Sequence, residues 1–120
     1  MAQQSDEQEI EKMLRDYQQV QEQLRLFAIQ LEQLKAQKAE FDRANQEVSG
    51  ATGKVYISVG GVIVETTKDK ALADLKDRSE LSETRIQSVT KQYDQTRARE
   101  KQLNEQITAV YKSAQGRAAQ

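Results

Sequence analysis

The chain has 120 residues, of which 31% are charged and only 5% are aromatic, and its formal net charge at pH 7 is −1. It contains no cysteine and no histidine. These absences exclude a zinc finger, a thiol nucleophile, a disulfide framework and a Ser-His-Asp triad. The length predicts one domain over residues 1–120, and we expect no cofactor, no metal and no enzymatic activity.

The distribution of charged and apolar residues limits the partners further. Lys and Arg are spread along the sequence instead of being gathered as in a nucleic-acid binder. No apolar run approaches the roughly 20 residues that span a bilayer, and the polar, acidic stretch Met1–Glu7 is unlike a signal peptide. We therefore expect a soluble cytoplasmic protein that binds neither nucleic acid nor membrane.

The first part of the chain, from about residue 5 to residue 50, carries a coiled-coil repeat. Apolar or aromatic residues recur in alternating steps of three and four, at Ile10, Met13, Tyr17, Val20, Leu24, Phe27, Leu31, Leu34, Phe41 and Val48. Only Lys38 and Asn45 interrupt this seam. A 3.5-residue spacing held over six heptads predicts a long helix that packs against another helix.

The last part, from about residue 69 to residue 115, carries a second seam. Its positions are Leu72, Leu75, Ser79, Ser82, Ile86, Val89, Tyr93, Thr96, Glu100, Leu103, Ile107, Val110 and Ala114. The four polar positions form two clusters, which we interpret as weak spots of the seam that can also fix its register. Because the two helices have nearly equal lengths, we expect them to run antiparallel, with position 10 near position 110.

Local signals mark the ends of both helices. Ser5 followed by Gln8 fits a capping box, and Gly50 supplies a stop after the first seam. Thr67 and Asp69 are candidate capping groups at the start of the second helix. Gly116 is its predicted end, so that residues 116–120 form a short polar tail.

The middle of the chain breaks the helical period and predicts a β-hairpin over residues 53–67. Two runs rich in Val and Ile are separated by Gly60-Gly61, which predicts a type I′ or II′ turn. Val55, Ile57 and Val59 are expected to share one face of the first strand, and Val62, Val64 and Thr66 to share one face of the second. A two-stranded hairpin is marginal alone. We therefore expect the strands of several subunits to close into a β-barrel.

The remaining motifs have ordinary structural interpretations. The stretch Gly50–Val55 resembles a phosphate loop only faintly, because the pattern needs Gly where Val48 stands and Ser or Thr where Val55 stands. Carboxylate pairs are typical of a solvated coiled-coil face, and so is the basic cluster Arg97-Arg99-Lys101, for which docking of a partner is the alternative. More informative are the apolar residues off the seam: Leu14 and Tyr111 sit just beside it, and Leu26 and Ile29 point away from it.

The order of helix, hairpin and helix, together with the stretch Gly53–Leu72 and its Val-Gly-Gly-Val centre, resembles the beta-class subunit of prefoldin. The resemblance covers nearly the whole chain and is greatest to archaeal beta subunits, although eukaryotic ones share the hairpin centre. A single hairpin matches the beta class, since the alpha class carries two. The fold class is then mainly α, a long antiparallel helical coiled-coil hairpin with one β-hairpin between the helices.

The resemblance implies an α2β4 hexamer with alpha-class prefoldin subunits, a double β-barrel body, and coiled coils that hang from it. It implies an ATP-independent holdase that captures unfolded proteins at the coiled-coil tips and hands them to a group II chaperonin. The implied oligomerisation residues are Val55, Tyr56, Ile57, Val59, Gly60, Gly61, Val62, Ile63 and Val64. The implied client-binding residues are Ile10, Met13, Leu14, Val110, Tyr111 and Ala114.

A second hypothesis is a structural coiled-coil spacer or tether that oligomerises through its β-hairpin. The heptads fit this hypothesis equally well. The hairpin discriminates between the two, because a spacer has no need of two strands rich in Val and Ile.

Overall fold

The computed structural model describes residues 2–118 of the chain and the side chains of residues 6–117. Its elements are, in order, α1 (Ala2–Ser49), β1 (Val55–Val59), β2 (Val62–Thr66) and α2 (Lys68–Ala118). The predicted fold class is confirmed as two long helices with one hairpin between them. The chain forms two compact units, one built from the segments up to Ile29 and from Thr90, and one built from Gln30–Val89.

The heptad seam is the face that both helices bury. Every seam position from Ile10 to Val48 in α1, and from Leu72 to Ala114 in α2, is buried or half-buried. With few exceptions, the other helical residues are exposed. The polar seam positions are covered as well as the apolar ones, so the 3.5-residue period decides which side of each helix is covered.

In the first unit, Val20 and Leu24 of α1 form a buried cluster with Leu103 of α2. Tyr17 and Tyr93 are partly buried against this cluster. Burial of each aliphatic side chain stabilises the pair by about 1.5–3 kcal/mol, so a few such layers hold two otherwise polar helices together.

The second unit contains the hairpin, and its strands have the predicted bounds. They pair antiparallel in a register that runs from Val55 opposite Thr66 to Val59 opposite Val62. Gly60 and Gly61 have φ angles of 55° and 83°. Positive φ at both central residues defines a type I′ turn, which resolves the alternative left open by the sequence.

The helix ends follow the sequence signals only in part. Thr67 caps α2 as predicted, because its Oγ1 accepts a hydrogen bond of 3.2 Å from the backbone N–H of Lys70. The predicted start of α1 at Ser5 is wrong, since the helix begins at Ala2. The predicted end of α2 at Gly116 is also wrong, because the helix continues to Ala118. Residues 119 and 120 of the predicted tail lie outside the described residues.

Candidate functional site

The hairpin leaves most of its apolar side chains in solvent. Five of them, which we call the hairpin surface, are exposed: Tyr56, Val59, Val62, Ile63 and Val64. Ile63 is 73% exposed and Val62 is 61% exposed. These two neighbours point to opposite faces of the sheet, so apolar area is uncovered on both faces. Of the nine residues that the sequence assigned to oligomerisation, these five are left uncovered by the described residues of a single chain.

The end of the hairpin that lies away from its turn packs against the helices of the second unit. Val55 is buried and Ile57 is half-buried. Both line a groove of about 220 Å³ whose other apolar walls include Phe41, Val48 and Leu75. The hairpin is thus anchored at its base and uncovered toward its turn, which fixes the direction in which the free side chains are presented.

The residues predicted to bind clients lie at the ends of the helices in the first unit. Leu14 and Tyr111 are exposed, at 40% and 48%. The other four, Ile10, Met13, Val110 and Ala114, are half-buried seam residues. We call these six residues the end surface. Their side chains both close the coiled coil and leave apolar area in solvent, as the sequence predicted.

An ion pair that sequence reasoning missed joins the two helix ends. Arg117 donates from Nη1 to Oδ2 of Asp6, and its Nη2 donates to Oγ of Ser113. The pair brings the start of α1 to the end of α2, so the helices of the first unit run antiparallel. It occupies the next seam layer outside the end surface. Neither residue stood out in the sequence, because charged residues are common throughout it.

The polar interruption of the seam in the second unit is hydrogen-bonded. Ser79 donates from Oγ to Oδ1 of Asp42 at 2.7 Å, and Nζ of Lys38 lies 2.9 Å from Oδ2 of the same carboxylate. The Ser79 bond, followed by Lys38, lowers the pKa of Asp42. The bond to Asp42 raises the pKa of Lys38. The predicted weak spot is therefore a cross-helix contact that favours one register.

A second groove, of about 430 Å³, lies in the first unit. It is lined by Tyr17, Arg97, Ala98, Glu100, Lys101 and Asn104. Arg97 lies over the ring of Tyr93, with its Cζ atom 6.0 Å from the ring centroid. The sequence identified Arg97 and Lys101 as members of a basic cluster, with a solvated face as the main interpretation and partner docking as the alternative.

The other motifs weighed in the sequence have the expected placement. Gly50–Val55 is the connection between a helix and a strand, the reverse of a phosphate-binding loop. Leu26 and Ile29 are exposed on the outer face of α1. Leu81 is similarly exposed in the second unit, which the sequence analysis did not single out. Within the described residues, no helix is long and apolar enough to cross a membrane.

The fold is that of a coiled-coil protein in which two long helices pack along a heptad seam. One exposed apolar hairpin joins the two helices. The family model described as "Prefoldin subunit" matches residues 11–116. The prefoldin subunit beta of Methanosarcina acetivorans is 35% identical over 101 residues, covering 82% of this chain and 86% of that protein. The prefoldin subunit beta of Pyrococcus abyssi is 32% identical over 104 residues, covering 85% and 89%.

A solved structure gives the same result. The crystal structure of the prefoldin beta subunit from Thermococcus strain KS-1 is similar with a TM-score of 0.79 and 32% sequence identity, covering 84% of this chain and 90% of that chain. The chain belongs to the prefoldin family, which is a family of chaperones. The resemblance to the beta class is thereby confirmed.

Proposed function

We propose that this chain is the beta-class subunit of an α2β4 prefoldin hexamer, which holds unfolded polypeptides without ATP and hands them to a group II chaperonin. The proposed place of action is the cytoplasm, and the mechanism is binding and release without catalysis. The observation that carries the proposal is the hairpin surface. Five apolar side chains of a two-stranded sheet are exposed in the single chain, and such a sheet gains stability from further strands.

The geometry of the hairpin supports assembly through strands. Within the described chain, β1 and β2 form a sheet of two strands, so each strand has one edge without a strand partner. A neighbouring hairpin that pairs with such an edge satisfies its backbone groups and covers Val59, Val62 and Val64 at the same time. Repetition of this contact among subunits closes a barrel, in which edges disappear.

The end surface supports client holding. Its exposed side chains, Leu14 and Tyr111, are apolar or amphipathic and lie among half-buried seam residues instead of in a shaped pocket. Contacts of this kind bind apolar segments weakly and without sequence preference. Several copies acting on one client raise the affinity by about 10²–10⁴ in favourable geometry. Weak individual contacts also release quickly, which is what transfer to a second chaperone requires.

The proposal is tested by assembly and by protection of a client. The chain co-expressed with an alpha-class subunit should give a hexamer by light scattering, and the hexamer should suppress the turbidity of a chemically unfolded protein without ATP. A chain without residues 1–14 and 109–120 should still assemble but protect far less. Unchanged protection would show that the end surface is not the client-binding site. Addition of a group II chaperonin should release the client.

The spacer hypothesis predicts a different result. A tether that joins two copies through the hairpin would assemble without an alpha-class subunit and would not protect an unfolded protein. Membership of the prefoldin family favours the chaperone.

A further inference from the structure

One flank of the helix pair in the first unit combines apolar, aromatic and polar side chains. Arg97, Asn104 and Tyr111 are spaced by seven residues and therefore lie on one stripe of α2. Arg97 and Asn104 line the groove of about 430 Å³ together with Tyr17 of α1. Leu14 lies three residues before Tyr17, so the two side chains are neighbours on α1. We call these five residues the groove flank.

Arg97 is held in place at this groove. Its guanidinium lies over the ring of Tyr93, and Nη1 donates to the Tyr93 hydroxyl oxygen at 3.4 Å. Its Nε atom is 3.9 Å from Oε1 of Glu100. The Arg97 side chain nevertheless remains 61% exposed. A guanidinium that is oriented by neighbours and still open to solvent loses little freedom when it binds another group.

The charges of the groove favour a carboxylate as its occupant. Arg97 and Lys101 carry only hydrogen-bond donors. Among the described residues that line the groove, Glu100 is the acidic one, and it is close to Arg97 already. The groove therefore presents more positive than negative charge, directly beside the ring of Tyr17.

We propose that the groove flank, together with the groove-lining Lys101, binds an extended unfolded segment in which apolar residues stand next to carboxylates. The apolar residues contact Leu14 and Tyr111, and the carboxylates pair with Arg97 and Lys101. The inference rests on the proposed holding function and names the kind of client segment that this function selects. Chains rich in acidic residues beside apolar stretches are preferred over chains with basic residues in the same places.

The opposite flank of α2 supplies the control. Arg99 is two residues from Arg97, and by the seven-residue spacing it shares a stripe with Gln106 and Ser113. It is exposed and does not line the groove. Arg97→Gln and Arg99→Gln thus remove the same charge from the same helix, but from different flanks. Both variants should keep the helicity of the parent.

The test uses the full-length chain assembled with its alpha-class partner and three fluorescent peptides. Each peptide has the same apolar half, joined to an acidic, a basic or a neutral half, and binding is measured by anisotropy. The parent should bind the acidic peptide most tightly. Arg97→Gln should weaken that binding by up to about fivefold at low salt, the range of an exposed ion pair, and Arg99→Gln should not. The difference should fade near 1 M salt.

Two results would overturn the inference. One is an equal loss of binding in both variants, and the other is a parent that binds the basic peptide as tightly as the acidic one. Failure of the holding function has a different signature, because none of the three peptides would then bind. A parent that binds all three equally, and still protects an unfolded protein, keeps the proposed function and rejects the selectivity.

Discussion

The hairpin surface and the end surface both expose apolar side chains, but they hold them differently. On the hairpin, Val62 and Ile63 project from paired strands whose register is fixed by backbone hydrogen bonds. At the helix ends, Ile10 and Val110 belong to the seam itself and are half-buried. The apolar area of the hairpin is thus available without any rearrangement, whereas that of the helix ends is shared with the packing of the coil.

This difference fits the two kinds of contact that we propose for the chain. A rigid, patterned surface loses little conformational freedom on binding and suits a permanent interface. A surface whose residues also close a coiled coil binds at the expense of that closure, so its contacts are weaker and reversible. Four changes to the sequence sharpen or break this comparison.

The largest effect is expected from Val62→Asp combined with Val64→Asp. Both side chains lie on one face of β2, which the proposed assembly covers. A carboxylate buried there without a partner is strongly unfavourable. Light scattering should report small species that remain largely helical by circular dichroism.

A matched control separates this effect from loss of exposed apolar area in general. Leu26→Asp with Ile29→Asp also replaces two exposed aliphatic residues of α1. This control should assemble normally. A double hairpin variant that assembles to full size would show that the hairpin surface is not the interface.

A smaller effect is expected from Leu14→Ser combined with Tyr111→Ser. Both residues are exposed beside the seam, so the coiled coil should keep its helicity while protection of an unfolded client falls several-fold. Turbidity against chaperone concentration measures the loss. Leu81→Ser, at an exposed position of the second unit, should leave protection unchanged. If the double variant protects fully, Leu26 and Ile29 become the next candidates.

Replacing a glycine by alanine should lower the stability of the fold at the hairpin turn and raise it in α2. Gly60→Ala places a side chain at positive φ, which costs about 1–2 kcal/mol through the local backbone, although no atom beyond the residue and its two chain neighbours lies within 4 Å of the new Cβ. Gly116→Ala lies inside α2 and should stabilise it by up to about 1 kcal/mol. Thermal unfolding should show a lower Tm for the first variant and a slightly higher Tm for the second. Equal shifts would contradict the type I′ turn.

The smallest effect is expected from Asp42→Asn. The pKa of Asp42 is lowered by Ser79 and Lys38, so this carboxylate stabilises the fold at neutral pH. That contribution is lost as the pH falls from the unfolded value near 3.9 through the lowered folded value. The variant should therefore have a lower Tm than the parent at pH 7, and the difference should shrink below about pH 4. A pH-independent difference would assign the effect to packing.

The sequence predicted the elements well where a short-range pattern determines them. The heptad seam depends on residues three or four apart, and all its positions from Ile10 to Ala114 are at least partly covered. The bounds of both strands follow from the Val and Ile runs around Gly60-Gly61. A glycine inside a helix costs only about 1 kcal/mol, which is why Gly116 does not end α2.

Contacts between distant residues were harder to predict. Asp6 and Arg117 are ordinary charges in a sequence with 18 basic and 19 acidic residues, and only the antiparallel alignment brings them together. Lys38 and Ser79 were identified as interruptions of the seam. Their shared contact with Asp42 depends on the relative register of the two helices, which no local pattern contains.

The hairpin also has a consequence for a copy of the chain that lacks partners. In the described chain, a single copy carries two open strand edges and uncovered Val62 and Ile63, which the proposed assembly would cover. Such a copy is itself prone to non-specific association, since open edges recruit any strand that reaches them. Under the proposed assembly, a copy without partners would therefore present the kind of surface that a chaperone exists to cover.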